Sequence, residues 1–405
     1  MTESKLTYKR PPRWAACFAA AALLTPAVVV AEEVRIGFIS TFTGAQAMLG
    51  AELLDGFKLG LAKSDGKLGG QPTTIVTGDD QAKPDIGRQL AEKMISKDKV
   101  QIITGVNFTN VLLGMSKPVL DSGTLLVSLN PGPPSLAGKG CNPHFFSVSY
   151  QNDGVAEAMG EYFNRKGIKD VYLLAPNYPA GKDLMTGFKR FYKGEIKKEV
   201  YTQFEQLDYA AEIASIRAEK PKAVFYFYPG SLGINFLRQY TDAGLKSEIP
   251  LYGPSFSLDQ TIFAASGDTP LGAYATTFWT ESLQNTQNQE FVAAFEKAYG
   301  RLPSAYAAQA YDGARLLDAA IKETNGKVDN ADLLAQAIKK ANFASVRGSF
   351  KFNNNNFPIH DYYITRVEKD SKGRTVMKPL EKVLSNHSDA YAKDCLMQAQ
   401  AAAPK

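Results

Sequence analysis

Residues 34–61, VRIGFISTFTGAQAMLGAELLDGFKLGL, contain the change of period that decides the fold. Val34 to Ile39 is a short apolar run with the composition of a strand. From Gly50 to Lys63 the pattern changes. Leu53, Leu54, Phe57 and Leu61 recur at i, i+1, i+4 and i+8, which is one face of a helix. Between them lies a polar loop, Thr41-Phe42-Thr43-Gly44-Ala45-Gln46. Strand, loop, helix is the repeating unit of a parallel α/β sheet.

The unit recurs outward from this stretch. Strands are expected at 73–77, 100–104 and 124–128, with helices at 85–97 and 109–121; Pro118 is expected to shorten or kink the latter. A second round begins after residue 150. Its strands fall at 171–174, 200–204, 223–228, up to 252 and at 273–278, and its helices at 182–193, 209–218 and 232–243. Three more helices follow, at 288–299, 304–323 and 330–341. A chain of 405 residues exceeds the roughly 250–300 at which one core stops growing. Two rounds therefore predict two doubly wound α/β lobes, with ligand at the carboxyl ends of their strands.

Residues 1–31 carry a basic start (Lys5, Lys9, Arg10, Arg13), an apolar stretch from Trp14 to Val30, and small residues at Val29-Val30-Ala31. This is the pattern of a secretory signal cleaved near Ala31; a membrane anchor is the alternative, opposed by Pro26. Cleavage removes four basic residues and one acid, so the balance falls from 46 against 41 to 42 against 40. No cluster of Lys and Arg points to nucleic acid or an anionic membrane. Two cysteines, Cys141 and Cys395, remain, and an even count in an exported chain suggests a disulfide.

Signals for catalysis, metal and cofactor are weak. His144, His360 and His387 are far apart, and none stands at metal-ligand spacing from another His or a Cys. Gly230-Ser231-Leu232-Gly233 is not a nucleophile elbow, and no phosphate-binding glycine loop opens a helix. The strand-end loops say more. Residues 41–50, 105–110 and 128–134 supply hydroxyls, amides and backbone N–H groups near helix N-termini, an environment suited to a carboxylate. Helix capping is the alternative use of any single Thr or Asn in them.

Several segments, in this order and spacing, resemble a known family: IGFISTFTGAQAMLGAELLDGFKLGL, ITGVNFTNVLLGM, LLVSLNPGPPSLAGKGCNPHFFSVSYQND, AVFYFYPGSLGINFLRQY, GLKSEIPLYGPSFS and YAAQAYDGARLLDAAI. The chain resembles the exported solute-binding proteins of ABC importers, in the branch that contains the leucine/isoleucine/valine-binding proteins. The resemblance covers nearly all of residues 33–365. It implies a type I periplasmic-binding fold: two doubly wound parallel-sheet lobes joined by three crossover strands, near 146–150, 278–281 and 350–353. The N-terminal lobe is then 32–148 plus 281–349, the C-terminal lobe 149–280 plus 350–395, and 396–405 a tail. It further implies a periplasmic monomer without cofactor or metal, which closes on a small molecule by a hinge and is read by a membrane permease.

Carried over residue by residue, the family's carboxylate hydroxyls fall on Thr109 and Gly132. Gly132 offers only its N–H, with Asn107 and Asn130 nearby. The apolar wall falls on Leu49, with Phe42 beside it. The family acid that pairs with an α-ammonium falls on Ser255. An unpaired buried ammonium is costly, so the departure points to a carboxylate without an ammonium. Tyr150, Tyr178, Tyr228 and Phe256 are expected at the cleft, as are Phe108 and Trp279. The segments YPG, NPHFFS and NFPIHDYY resemble the branch that binds aromatic acids, of the benzoate, hydroxybenzoate or phenylpropenoate type. The alternatives are an amino-acid or amide binder, with Asp153 or Asp183 supplying the acid, an exported ligand sensor, and an exported hydrolase.

Overall fold

The computed structural model describes residues 1–7, 9 and 33–397. Most of the expected signal segment, with its cleavage point near Ala31, and residues 398–405 of the expected tail lie outside the described residues. Among those described, no helix is long and apolar enough to cross a membrane.

Two sheets carry the fold. The first holds β1 (Val34–Ser40), β2 (Lys67–Leu68), β3 (Gln71–Asp79), β4 (Ile102–Thr104), β5 (Leu125–Ser128) and β6 (Phe145–Ser147), in the order β2-β3-β1-β4-β5-β6. β1 lies inside this sheet, parallel to β3 and β4. Its apolar run is buried along nearly its whole length, as the middle of a parallel sheet requires. The helices of this round are α1 (Ala47–Ala62), α2 (Pro84–Ser96), α3 (Thr109–Asp121) and the single turn α4 (Pro134–Ala137). α3 runs through Pro118 to Asp121, so the proline does not shorten it.

The second sheet holds β7 (Asp170–Pro176), β8 (Glu195–Thr202), β9 (Val224–Tyr226), β10 (Leu251–Pro254), β11 (Tyr274–Thr277), β12 (His360–Lys369) and β13 (Thr375–His387), ordered β13-β12-β11-β10-β9-β7-β8. Its helices are α5 (Gly154–Lys166), α6 (Pro179–Phe191), α7 (Ala210–Glu219), α8 (Ser231–Asp242) and α9 (Gln260–Ser266). The rule of uniformly parallel strands fails at the edges. β2 is antiparallel to β3, and β12 is antiparallel to both β11 and β13. The β12–β13 hairpin covers an edge that would otherwise expose unpaired backbone groups.

After the second round the chain forms α10 (Thr286–Tyr299), α11 (Ala305–Glu323) and α12 (Ala331–Lys340). α11 packs on α1 so closely that a side-chain carbon on Gly56 would sit 2.1 Å from the Ala307 carbonyl oxygen. These helices therefore return to the first sheet, although they follow the second in sequence. Cys141 and Cys395 form a disulfide, with their Cα atoms 5.7 Å apart. It ties the segment after β13 to the loop before β6. In the chain-entropy model, closing so long a loop is worth roughly 5 kcal/mol.

Candidate ligand-binding cleft

The carboxyl ends of both sheets' parallel strands meet at one cleft. From the first sheet come the loops after β1, β4 and β5, which lead into α1, α3 and α4. From the second come those after β7, β8, β9 and β10. The two sets touch. Gln46, just before α1, donates through Nε2 to Ser231 Oγ at the start of α8, 3.2 Å away. Phe108, just before α3, packs edge-on against Phe204 and Tyr178, with ring centroids 5.5 and 6.4 Å apart. Outside these contacts a cavity of about 280 Å³ opens, lined by residues that include Thr41, Gln46, Ala82, Phe204, Leu207 and Ser231.

On the first-sheet side, amides and hydroxyls build the wall. Asn107 Oδ1 accepts from the Thr41 N–H at 3.0 Å and from the Ser40 hydroxyl, which fixes the orientation of its amide. Asn107 Nδ2 is then left buried without a partner. Asn130 is committed elsewhere: its Nδ2 donates to the Asn107 carbonyl at 2.6 Å, and its Oδ1 accepts from Gln309 Nε2 at 2.7 Å. The Gly132 N–H, expected to face a ligand, donates instead to Asn152 Oδ1 at 2.8 Å. Position 132 admits no side chain, because a Cβ there would lie 1.9 Å from the Tyr150 carbonyl oxygen. Thr109 Oγ1 accepts from Asn152 Nδ2 at 3.2 Å, which leaves its own proton to donate. α3 starts without a side-chain cap, so its first-turn N–H groups add to the donors on this side.

On the second-sheet side the wall is aromatic. Phe256 stacks on Tyr150 at 4.7 Å and meets Tyr306 edge-on at 5.5 Å. Tyr178 packs against Phe204 at 4.8 Å and over Phe227 at 6.2 Å. Burial holds the phenols of Tyr150, Tyr178 and Tyr306 protonated, well above their ordinary pKa. The Asp183 charge adds to the shift for Tyr150, and neighbouring charges and phenols add to it for the other two. Ser255, fully buried at the end of β10, has no partner for its hydroxyl. Its neighbour Ser257 is committed, accepting from the Tyr228 N–H at 2.8 Å.

The structure thus brings together Asn107, Thr109, Asn130 and Gly132 on one side and Tyr150, Tyr178 and Phe256 on the other. Leu49 is buried on the face of α1 toward Gly230, and Phe42 is half-buried with its ring stacked 6.4 Å from Phe38. Two residues go elsewhere. Tyr228 is fully buried among Tyr209, Tyr226 and Phe236 in the core beneath the second sheet. Trp279 packs on Phe291 and donates to Asn288 Oδ1 at 2.6 Å. The two rings fall in different cores, Tyr228 in that of the second sheet and Trp279 in the one that includes Phe291 of α10. Sequence reasoning does not single out Asn152, Gln46, Phe204 or Tyr306. Each acquires its place only when segments distant in the chain come together.

The three histidines hold structural positions. His144 Nε2 lies 2.8 Å from Asp332, His360 Nε2 lies 2.7 Å from the Ser149 carbonyl, and His387 Nε2 lies 2.5 Å from Glu157. Among the described residues no group of three or more His, Cys, Asp or Glu is placed to hold a metal.

Residues 33–374 match the periplasmic binding protein family. The chain belongs to that family. A solute-binding protein of an ABC transporter from R. palustris, solved with benzoate, is 29% identical, with a TM-score of 0.85 over 90% of this chain and 99% of that one. A second, from Rhodopseudomonas palustris BisB5 with 3,4-dihydroxybenzoic acid, is 27% identical, with a TM-score of 0.82 over 88% and 99%. The Leu/Ile/Val-binding protein homolog 6 of Brucella melitensis is 26% identical over 371 residues, 88% of this chain and 93% of its own length. Members of the family with this fold are solute-binding proteins, and the two mixed α/β sheets with a ligand cleft between them are its type I architecture.

Proposed function

We propose that this protein captures an aromatic carboxylate in the cleft between its sheets and serves as the periplasmic solute-binding component of an ABC importer. The observation that carries the reading is the absence of charge at Ser255 within the aromatic wall. Ser255, fully buried, stands where the family resemblance places an acid, beside the stacked rings of Phe256 and Tyr150. The Thr109 hydroxyl, the Asn107 amide and the open first turn of α3 hold the carboxylate. Phe256, Tyr150 and Tyr178 enclose the ring, with Leu49 and Phe42 closing the far side, in geometry favourable for aromatic packing. Ser255 and the phenols meet ring substituents. Asn130 and Gly132 act behind this shell, shaping the loops that present it. The relatives solved with benzoate and dihydroxybenzoate support the same ligand class.

The lobes we assign are 32–148 with 281–349 and 149–280 with 350–395. The passage from β6 to β7, the return of α10–α12 to the first sheet and the β12–β13 hairpin support those limits. The protein works without cofactor or metal, as a monomer exported after cleavage near Ala31. It catalyses no reaction and hands its ligand to a membrane permease.

One observation favours a second reading, an amino-acid ligand: Asp183 borders the cleft and forms no salt bridge among the described residues. Thermal shift and calorimetry of the mature chain against benzoate, hydroxybenzoates, cinnamate and branched-chain amino acids separate the two. Aromatic acids are expected to stabilise the protein by about 2.7 kcal/mol at 100 times the dissociation constant. Stabilisation by amino acids alone overturns the first reading.

A further inference from the structure

Two acids stand where α5 and α6 begin, and they are treated differently. Asp153 is fully buried and answered: Arg190 lies 2.9 Å away, and the Gln151 amide and Tyr391 hydroxyl donate to it at 3.1 and 2.8 Å. Asp183, one turn into α6, has only a neutral donor. Asn152 Nδ2 donates to its Oδ2 at 2.8 Å, and the same nitrogen donates to Thr109 Oγ1 at 3.2 Å. One amide nitrogen therefore separates Asp183 from the start of α3, and the two oxygens are at most about 6 Å apart.

Among the described residues no cation pairs with Asp183. Tyr201, at the end of β8, turns its hydroxyl to Glu199 at 2.5 Å. Tyr178 precedes α6, and Tyr150 and Asp153 precede α5. Arg190, further along α6, is committed to Asp153 and Glu157. Residues 109–116 of α3 carry no charge. Burial, reinforced by the Asp153 charge, raises the Asp183 carboxyl to about 7, with the Asn152 hydrogen bond acting against it.

We propose that capture of a carboxylate ligand by this protein is coupled to the uptake of one proton by Asp183. This rests on the carboxylate reading above. An anion held by Thr109 and the first turn of α3 faces the Asp183 carboxylate across the buried Asn152 amide, where like charges repel. A proton from solvent on Asp183 removes the repulsion. The carbonyl oxygen of the protonated group still accepts from Asn152, so the links to Thr109 and Gly132 persist. An ammonium-bearing ligand has the opposite requirement: it needs Asp183 ionised and drives its proton off.

The test is isothermal titration calorimetry with benzoate at pH 8, in two buffers of different ionisation enthalpy, on the mature wild type and Asp183→Asn. Asparagine keeps the acceptor for Asn152 and removes the charge. The wild type is expected to take up close to one proton, and the variant close to none. The wild-type Kd is expected to weaken at least about fivefold between pH 6.5 and 8.5, and that of the variant less than about twofold. Benzoate binding without proton uptake, or with equal uptake in both proteins, overturns the coupling and leaves the functional reading intact. Because the wild-type uptake is itself decisive, a variant that fails to fold does not remove the test. Leucine binding with proton release assigns Asp183 to an ammonium and overturns it. A protein that binds no aromatic acid overturns the functional reading and the coupling together.

Discussion

The two walls of the cleft solve opposite problems. On the first-sheet side, polar groups are plentiful, but most are spent holding loops: Asn130 on Asn107 and Gln309, Gly132 on Asn152. What is left over is a small set of donors around Thr109 and Asn107. On the second-sheet side, polar atoms are few, and the surface is built from Tyr150, Tyr178 and Phe256. A polar wall with a few free donors positions an anion; an aromatic wall without an opposing charge selects what the anion is attached to. Under the proposed function, the second sheet selects the ligand's body and the first holds its carboxylate.

The division can be broken from either side. Phe256→Ala removes a fully packed ring from the aromatic wall. It is expected to cost roughly 3–5 kcal/mol of stability, read by denaturant titration, and to weaken aromatic acids far more than acetate. Equal loss for both would assign the ring no part in selection. Gly132→Ala attacks the polar wall through its backbone. A methyl 1.9 Å from the Tyr150 oxygen cannot be accommodated without moving a loop, so a loss of roughly 3 kcal/mol is expected in the same titration. Asn152→Ala strips partners from Gly132, Thr109 and Asp183 together. A loss of about 1–3 kcal/mol, with weaker binding of every carboxylate tested, is expected.

Changes to single polar groups have smaller effects. Ser255→Ala removes a buried hydroxyl that has no partner, so the ligand-free protein is expected to gain up to about 1 kcal/mol. Affinity for hydroxybenzoates should then fall relative to benzoate; an unchanged ratio would place Ser255 outside the site. Asp183→Asn tests the acid at the seam. Its carboxyl titrates higher in the folded state than its ordinary value of 3.8. Wild-type stability is therefore lost as pH rises from about 4 to about 7, when the unfolded chain ionises first. The variant should melt higher than wild type at pH 7–8 and equal to it near pH 3.5.

Much of the fold was legible because one period change, repeated, is hard to mistake. Val34–Ile39 followed by Leu53, Phe57 and Leu61 predicts β1 and α1, and the limits of α3 fall where its pattern places them. The β12–β13 hairpin was not legible as part of a parallel round, since its pairing is antiparallel and its role is to cover an edge. α5 went unread, although Val155, Met159, Tyr162 and Phe163 repeat at helical spacing. In the cleft, residue types at strand ends were visible, but not which face each would take. Tyr178 and Tyr228 both follow strands, yet one meets Phe108 across the cleft and the other packs on Phe236 inside a core. Asn152 carries no local signal. Its importance comes from three groups, on the loop after β5, α3 and α6, converging on one side chain.

The most direct test of this division of labour is a calorimetric comparison of benzoate with leucine on the mature protein at pH 6.5. Tight binding of benzoate with no detectable heat from leucine is predicted. Leucine binding at comparable or greater strength would contradict it, and would assign Asp183 the role of the acid that Ser255 does not fill.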